Sequence, residues 1–160
     1  MQISDVTPTD LDDVLRLNEA SVPHVSSLDR TEMEWFANNA HYFRVASIDG
    51  TLAGFLIGLR PGLSYSSLNY RWFSENYDDF GYVDRVVVAR SARRAGVASG
   101  LYDDFLDTLR GEVDVMTCEV NIRPANDSSM QYHEQHGFVQ VGTQETEDGN
   151  KEVALLEKKL

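Results

Sequence analysis

Two arginines and a glycine stand between a valine run and an amphipathic helix pattern, and these residue types at this spacing could hold a phosphate group. Val86, Val87 and Val88 are β-branched and indicate a buried strand, while apolar residues recur every four positions from Val97 to Leu109 and predict one buried helix face. A glycine tolerates positive φ, and the unpaired amides of a helix N-terminus favour anions. The segment therefore predicts a pyrophosphate cradle. Its predicted contacts are Arg93, Arg94, Ala95, Gly96, Val97, Ala98 and Ser99.

Two motifs in the C-terminal half carry a family resemblance. Arg93-x-x-Gly96-x-Ala98 matches the acyl-CoA loop pattern Gln/Arg-x-x-Gly-x-Gly/Ala, and residues 126–138, NDSSMQYHEQHGF, have the spacing of the helix and strand that follow it in one family. On these motifs the chain resembles the GCN5-related N-acetyltransferases (GNAT). The N-terminal half agrees with that family in element order only. The second motif adds Asn126 and Ser129 to the predicted cofactor contacts.

The resemblance implies a mixed α/β (α+β) fold, with one domain over residues 1–160. A mostly antiparallel central sheet of about six or seven strands would be flanked by about four helices, and a parallel pair formed by its fourth and fifth strands would splay to hold acyl-CoA. The residues agree with this arrangement, because a strand at residues 81–89, a helix and a strand at 113–120 predict a right-handed parallel crossover. Asp49-Gly50 between two apolar arms predicts a hairpin with a type I′ turn.

The other elements are predicted from turn and capping signals. A first strand at residues 2–6, a helix opening at Thr7 to Asp10 and a second helix after Ser27 or Asp29 make up the N-terminal part. Asn126 is a helix cap, Gly137 ends that helix, and residues 139–142 and 153–156 form the last antiparallel pair. Residues 63–81 are predicted as a long aromatic-rich connection that either lines an acceptor pocket or folds its rings against the body.

By the resemblance, the backbone of Val86, Val87 and Val88 would bind the pantetheine arm, and an amide freed by a bulge would donate to the thioester oxygen. Two carboxylates are candidates for the base that receives the amine proton. Asp84 precedes the valines, and strand alternation would place its neighbour Arg85 on the other sheet face. Glu119 belongs to the adjacent strand. Either acid could instead be the structural partner of an arginine, such as Arg85 or Arg123.

The general acid is where the sequence departs from the family pattern. The family's usual tyrosine position is occupied by His133, and Tyr132 precedes it. The imidazole could donate to the leaving thiolate or could only pack near the cofactor. The first two helices of the family form one wall of the acceptor site. The predicted substrate contacts are Asn18, Glu19, Tyr70, Trp72 and Tyr82.

Composition limits the partners. The formal net charge of −12 over 160 residues argues against nucleic acid and anionic membranes, and it either favours a cationic acceptor or serves solubility. Cys118 is the only cysteine, so no internal disulfide forms, and no leader or bilayer-spanning run is evident, which predicts a cytoplasmic location. No metal site is predicted.

The functional expectation is an acetyl-CoA-dependent N-acetyltransferase that acetylates a primary amine, on a small molecule or a peptide, by direct attack in a ternary complex. The alternative is a non-catalytic acyl-CoA-binding sensor or regulatory module. The sequence leaves the oligomeric state open, and a homodimer is one assembly that the resemblance allows, because many members of the family pair through C-terminal strands.

Overall fold

The computed structural model describes all 160 residues, which form seven β-strands and five α-helices. In chain order the elements are β1 (Gln2–Asp5), α1 (Leu11–Glu19), α2 (Arg30–Asn39), β2 (Tyr42–Ile48), β3 (Thr51–Leu59), α3 (Leu68–Asn76), β4 (Gly81–Val88), α4 (Val97–Leu109), β5 (Val115–Arg123), α5 (Asp127–Gln135), β6 (Val139–Thr146) and β7 (Lys151–Lys159). None of the helices has the length and apolar character needed to cross a lipid bilayer.

The strands form one sheet in the order β1-β2-β3-β4-β5-β7-β6. Antiparallel ladders join β1 to β2, β2 to β3, β5 to β7 and β7 to β6. The β4–β5 ladder is parallel and pairs Gly81 with Met116 and Tyr82 with Thr117. The predicted mixed, mostly antiparallel sheet with a parallel fourth and fifth strand is therefore confirmed.

Internal contacts divide the chain into two compact units. The first unit comprises Met1–Leu59 and Asp84–Thr108, and the second comprises Arg60–Val83 and Leu109–Leu160. In the first unit, the helix stripe predicted from sequence is buried as expected, because Val97, Leu101 and Phe105 all lie in the core. Asp104, which lies between these apolar positions, is half-buried, and its carboxylate accepts hydrogen bonds from the Tyr42 and Arg44 side chains of β2.

Local signals set the turns of the first unit. Asp49 and Gly50 both have positive φ, of 50° and 77°, as the predicted type I′ hairpin turn requires. Asp29 caps α2, because its carboxylate accepts from the Glu32 N–H at 2.8 Å while the Glu32 carboxylate accepts from the Asp29 N–H at 2.8 Å. The second helix therefore begins at one of the two predicted caps.

The second unit contains a helix that the sequence reading placed in a connection. The hydroxyl of Ser67 accepts from the Tyr70 N–H at 3.3 Å and caps α3. Tyr70 and Phe73, three residues apart, bury their rings against Phe80 and Tyr82 with centroids 5.6 to 6.3 Å apart. The pattern was missed because nine residues are too few for a clear helical period.

One strand boundary also differs from its prediction. β5 runs from Val115 to Arg123, whereas the sequence placed this strand at residues 113–120. Gly111 takes a φ of 79°, and the Glu112 and Val113 amides both donate to the Leu109 carbonyl. The chain leaving α4 therefore completes its turn two residues later than the apolar run suggested.

Candidate functional site

The arginine–glycine loop lies entirely in the first unit, between the end of β4 and the start of α4. A hydrogen bond of 2.8 Å from the Ala89 amide to the Ala53 carbonyl holds the end of β4 against β3, and residues 90–92 then make one 3₁₀ turn. Arg94 and Gly96 have φ angles of 64° and 77°. Such left-handed residues turn successive backbone amides toward one side, which is the geometry of an anion-binding nest.

Gly96 ends the loop and opens the helix. Its carbonyl accepts from the Gly100 amide at 2.9 Å, so the amides of the first turn, beginning at Val97, have no partner within the helix. A Cβ added at Gly96 would meet no heavy atom within 4 Å. The first turn carries no acidic residue. An anion therefore has both open space and unopposed N–H dipoles at this end of α4.

Gly54 of β3 sets the position of the loop, and sequence reasoning missed it. A Cβ at Gly54 would lie 2.6 Å from the carbonyl oxygen of Val87 and 2.9 Å from a methyl carbon of Val97. Only a residue without a side chain lets β4 and the start of α4 come this close to β3. Val87 is buried, and Val86 and Val88 are half-buried. The bulge in this strand and the contacts of the three valines with the pantetheine arm remain predictions.

Predicted cradle arginines Arg93 and Arg94 are exposed and pair with no carboxylate. They precede the glycine in the order that the motif requires. Of the remaining predicted contacts of the cradle, Ala95 and Gly96 are exposed, Ala98 and Ser99 are half-buried, and Val97 is buried. The loop thus presents two guanidinium groups and a helix N-terminus within one short segment, which suits a diphosphate.

Asp84, the first base candidate, is tied to Arg85. The Arg85 Nε donates to Asp84 Oδ2 at 2.8 Å, and the two side chains are only 4% and 3% exposed. The expectation that alternation separates them is wrong, because the long arginine stem brings its guanidinium back to the neighbouring carboxylate. Asp84 is therefore the structural partner of an arginine, which is the alternative to its role as the base.

The same guanidinium anchors the segment between α1 and α2. Its Nη1 donates to Asn18 Oδ1 at 3.0 Å and to the Ser26 carbonyl at 2.9 Å, and its Nη2 donates to the Ser26 hydroxyl at 3.0 Å. The cation also lies 5.6 Å from the ring centroid of Phe36. The sequence offered Arg85 only as a partner for a carboxylate and did not point to Ser26, although an arginine inside a predicted buried strand is a signal that it needs buried partners.

The predicted acceptor residues Asn18 and Glu19 belong to this network. Buried Asn18 donates from Nδ2 to Glu19 at 2.8 Å and to the Ser26 carbonyl at 3.1 Å. Glu19 also accepts from the Ser27 hydroxyl and from the Leu28 amide. The Ser27 hydrogen bond, followed by that of Asn18, lowers the pKa of the Glu19 carboxyl. Both residues shape the α1–α2 connection, and their contact with an acceptor remains a prediction.

Glu119, the second base candidate, pairs with a tyrosine within the second unit. The buried Tyr82 hydroxyl lies 2.7 Å from Glu119 Oε2 and 2.9 Å from Oε1, so it donates to this carboxylate. The arginine that the sequence offered as a partner, Arg123, instead lies near Glu145 and Glu152, at 3.5 and 3.6 Å. Glu119 is half-buried.

His133 is fixed by the two ends of α5. Asn126 caps the helix through its Oδ1, which accepts from the Ser129 amide at 3.3 Å. Buried His133 approaches the Ser129 carbonyl with Nδ1 at 2.7 Å. A carbonyl only accepts, so Nδ1 carries the proton and the neutral imidazole has a lone pair on Nε2. Burial lowers the pKa of His133, which favours this neutral form. A general-acid role for His133 therefore needs the protonated imidazolium, which burial disfavours.

The C-terminal end of α5 confirms the predicted glycine stop. Gly137 has a φ of 86°, its amide donates to Glu134, and the Phe138 amide donates to the His133 carbonyl at 3.0 Å. The Phe138 ring packs edge-on against the imidazole, with centroids 5.1 Å apart. The Tyr132 ring stacks on the His136 ring, with centroids 4.0 Å apart. Of the two adjacent acid candidates, only His133 is buried.

The aromatic substrate candidates of the second unit are largely structural. Tyr70 is 3% exposed, and its hydroxyl donates to the Arg60 carbonyl at 2.8 Å and accepts from the Leu63 amide at 3.1 Å. Half-buried Trp72 packs over Gly142, where a Cβ would lie 3.1 Å from the indole Cζ2. Burial argues against the predicted acceptor contact of Tyr70, and that of Trp72 remains a prediction. No group of three or more metal-ligating side chains occurs in the chain.

Several solved structures share this fold along nearly their whole length. Ard1 from Thermoplasma volcanium matches with a TM-score of 0.80 at 19% identity, covering 99% of this chain and 97% of that one. Ribosomal-protein-alanine N-acetyltransferase from Brucella melitensis matches with a TM-score of 0.74 at 20% identity, covering 100% of both chains. Naa20 from Chaetomium thermophilum, in complex with a bisubstrate analogue, matches with a TM-score of 0.77 at 16% identity, covering 100% of this chain and 87% of that one.

At these identities the likeness concerns the fold, and the family assignment rests on the sequence. No curated protein sequence is significantly similar to this chain. The profile of the Acetyltransferase (GNAT) family, however, matches residues 11–138, a span that includes the arginine–glycine loop, both base candidates and α5. The chain therefore belongs to the acetyltransferase (GNAT) family.

Proposed function

We propose that this chain is an acetyl-CoA-dependent N-acetyltransferase that acetylates a primary amine by direct attack in a ternary complex. The observation that carries the proposal is the loop at residues 93–99, where two unpaired arginines, a left-handed glycine and a helix N-terminus without acidic residues occur together. Family membership adds the reaction class. Two similar structures support the finer points: a ribosomal-protein-alanine N-acetyltransferase supports an amine of a protein as the acceptor, and an enzyme held with a bisubstrate analogue supports a ternary complex.

The residues present fit the pyrophosphate of acetyl-CoA. Gly96 leaves open space where a ligand would approach the backbone, and Arg93 and Arg94 have no carboxylate to displace before they bind an anion. When bound, acetyl-CoA supplies the activated acyl thioester. The Arg93 and Arg94 guanidiniums and the amides of the first turn of α4 hold the diphosphate and so restrict the position of the rest of the molecule.

Of the two base candidates, Glu119 is the better supported. Asp84 is occupied by a buried ion pair, and taking up a proton there would leave the Arg85 cation without its counterion. The Glu119 carboxylate accepts a hydrogen bond from the Tyr82 hydroxyl at 2.7 Å, and this neutral donor fixes its orientation. We therefore infer that Glu119 receives the proton of the acceptor amine, directly or through water.

The test is a screen of coenzyme A release against amino acids, polyamines, aminoglycosides and peptides, with the product identified by mass spectrometry. An acetylated amine formed in proportion to released coenzyme A supports the proposal. Tight acetyl-CoA binding without turnover on any amine would refute catalysis and would indicate the non-catalytic acyl-CoA-binding module. A cytoplasmic location and a homodimer are further proposals that rest on sequence alone.

A further inference from the structure

The arginines of this chain fall into two groups according to their partners. Most form ion pairs, such as the one between Arg44 and Asp104 at 2.6 Å. The arginines without a carboxylate partner are Arg71, Arg90, Arg93 and Arg94, and all of them are exposed. Three of these lie within five consecutive residues, between the end of β4 and the start of α4.

This clustering is unexpected in a strongly acidic chain. The sequence holds 26 aspartates and glutamates against 14 lysines and arginines, so carboxylates are abundant. Neighbouring guanidiniums that remain unpaired repel one another, and this repulsion is relieved when a polyanion binds. The net charge of −12 repels such a ligand at a distance, but screening limits this repulsion beyond about 8 Å at physiological salt. Local arginines must therefore supply the affinity.

Arg90 is not needed for the pyrophosphate cradle, since it precedes the Arg93-x-x-Gly96-x-Ala98 spacing. The Arg93 amide donates to the Arg90 carbonyl at 3.4 Å and closes the 3₁₀ turn between them. Residues three apart across such a turn lie on the same side of it. Arg90 therefore places a further cation beside the cradle, with no carboxylate to neutralise it.

Coenzyme A carries one phosphate beyond its pyrophosphate, a monoester on the 3′ carbon of the ribose. We propose that Arg90 binds this 3′-phosphate, so that the chain selects coenzyme A over 3′-dephospho-coenzyme A. The proposal rests on the proposed function, because it assumes that the pyrophosphate occupies the adjacent loop. It makes Arg90 a specificity-determining residue, whereas Arg93 contributes equally to the binding of both nucleotides.

Isothermal titration calorimetry with coenzyme A and 3′-dephospho-coenzyme A tests this assignment in four proteins. The unmodified chain should bind coenzyme A about tenfold more tightly, the gain expected from one charge-assisted contact. Arg90→Gln should lose most of this preference and leave the affinity for the dephospho form unchanged within about twofold. Arg93→Gln should weaken both ligands by a similar factor. Arg71→Gln, an equally exposed and unpaired arginine on α3, should change neither.

The result that overturns the proposal is equal affinity of the unmodified chain for the two nucleotides, or a preference that survives in Arg90→Gln. A preference abolished by Arg93→Gln instead would also overturn it, because the 3′-phosphate would then belong to the cradle. Recovery of the preference in Arg90→Lys would support a charge contact at this position. If neither nucleotide binds the unmodified chain, the proposed function itself fails, which distinguishes the two failures.

Discussion

Replacing Arg85 with methionine should be among the most damaging single changes to the first unit. Methionine retains most of the buried apolar stem but removes the charge and every donor. Four hydrogen bonds disappear: one to the Asp84 carboxylate, one to Asn18 and two to Ser26, all between 2.8 and 3.0 Å. The Asp84 carboxylate, whose side chain is 3% exposed, loses its buried counterion.

The size of the effect follows from burial. Removing one partner of a buried ion pair typically costs about 3–5 kcal/mol, because the remaining charge is desolvated and unpaired. A domain is stabilised by about 5–15 kcal/mol in total, so Arg85→Met should remove about a fifth or more of that free energy. Arg16 provides the matched control, since its ion pair with Asp13 is 73% and 57% exposed. Arg16→Met should change stability by no more than about 0.5 kcal/mol.

Urea unfolding measures these free energies, and a double-mutant cycle with Asp84→Asn isolates the pair. The double variant should be at least about 2 kcal/mol more stable than the sum of the two single losses predicts, because neutralising Asp84 removes the unpaired charge that Arg85→Met leaves behind. An Arg85→Met loss below about 1 kcal/mol, or additive single effects, would refute the inference that a dry ion pair anchors the α1–α2 connection.

Other changes test the loop and α5. Gly96→Glu should abolish coenzyme A binding with the fold retained, because it puts a negative charge into the anion nest; unchanged affinity by calorimetry would remove the cradle. Gly54→Ala should destabilise the chain by about 1–3 kcal/mol in urea unfolding, since the new Cβ would lie 2.6 Å from the Val87 carbonyl oxygen. His133→Phe should lower turnover more than acetyl-CoA affinity, and equal turnover would show that the imidazole only packs. Because burial lowers the pKa of His133 below 6.5, the unfolded chain takes up this proton first, so stability should decline as the pH falls below about 6.5, and less steeply in His133→Phe.

The parts of the site that sequence alone predicts are those whose signals are local. The loop at residues 93–99 is defined by residue types at fixed offsets, and its glycine takes the positive φ that the spacing requires. The cap at Asn126 and the stop at Gly137 are equally local, and the structure reproduces both. The Asp49-Gly50 hairpin belongs to the same class, because the turn type follows from two adjacent residues.

What sequence reasoning could not predict depends on partners far apart in the chain. Arg85 meets Asn18 and Ser26 across 67 and 59 positions, and Tyr82 meets Glu119 across 37. Alternation along a strand assigns each side chain to a face, but it does not say that a long side chain will fold back to a neighbour.

The same limit explains why the chemistry assigned to each candidate changed. Residue type alone makes Asp84 and Glu119 equivalent as bases, and their partners distinguish them. Asp84 is the counterion of the buried Arg85 guanidinium, so protonation of Asp84 would leave that cation without its counterion. Glu119 accepts a hydrogen bond from the Tyr82 hydroxyl, which carries no charge. For His133, residue type permits either an acid or a base. The backbone carbonyl of Ser129 decides which nitrogen keeps the proton and so leaves Nε2 as an acceptor at neutral pH.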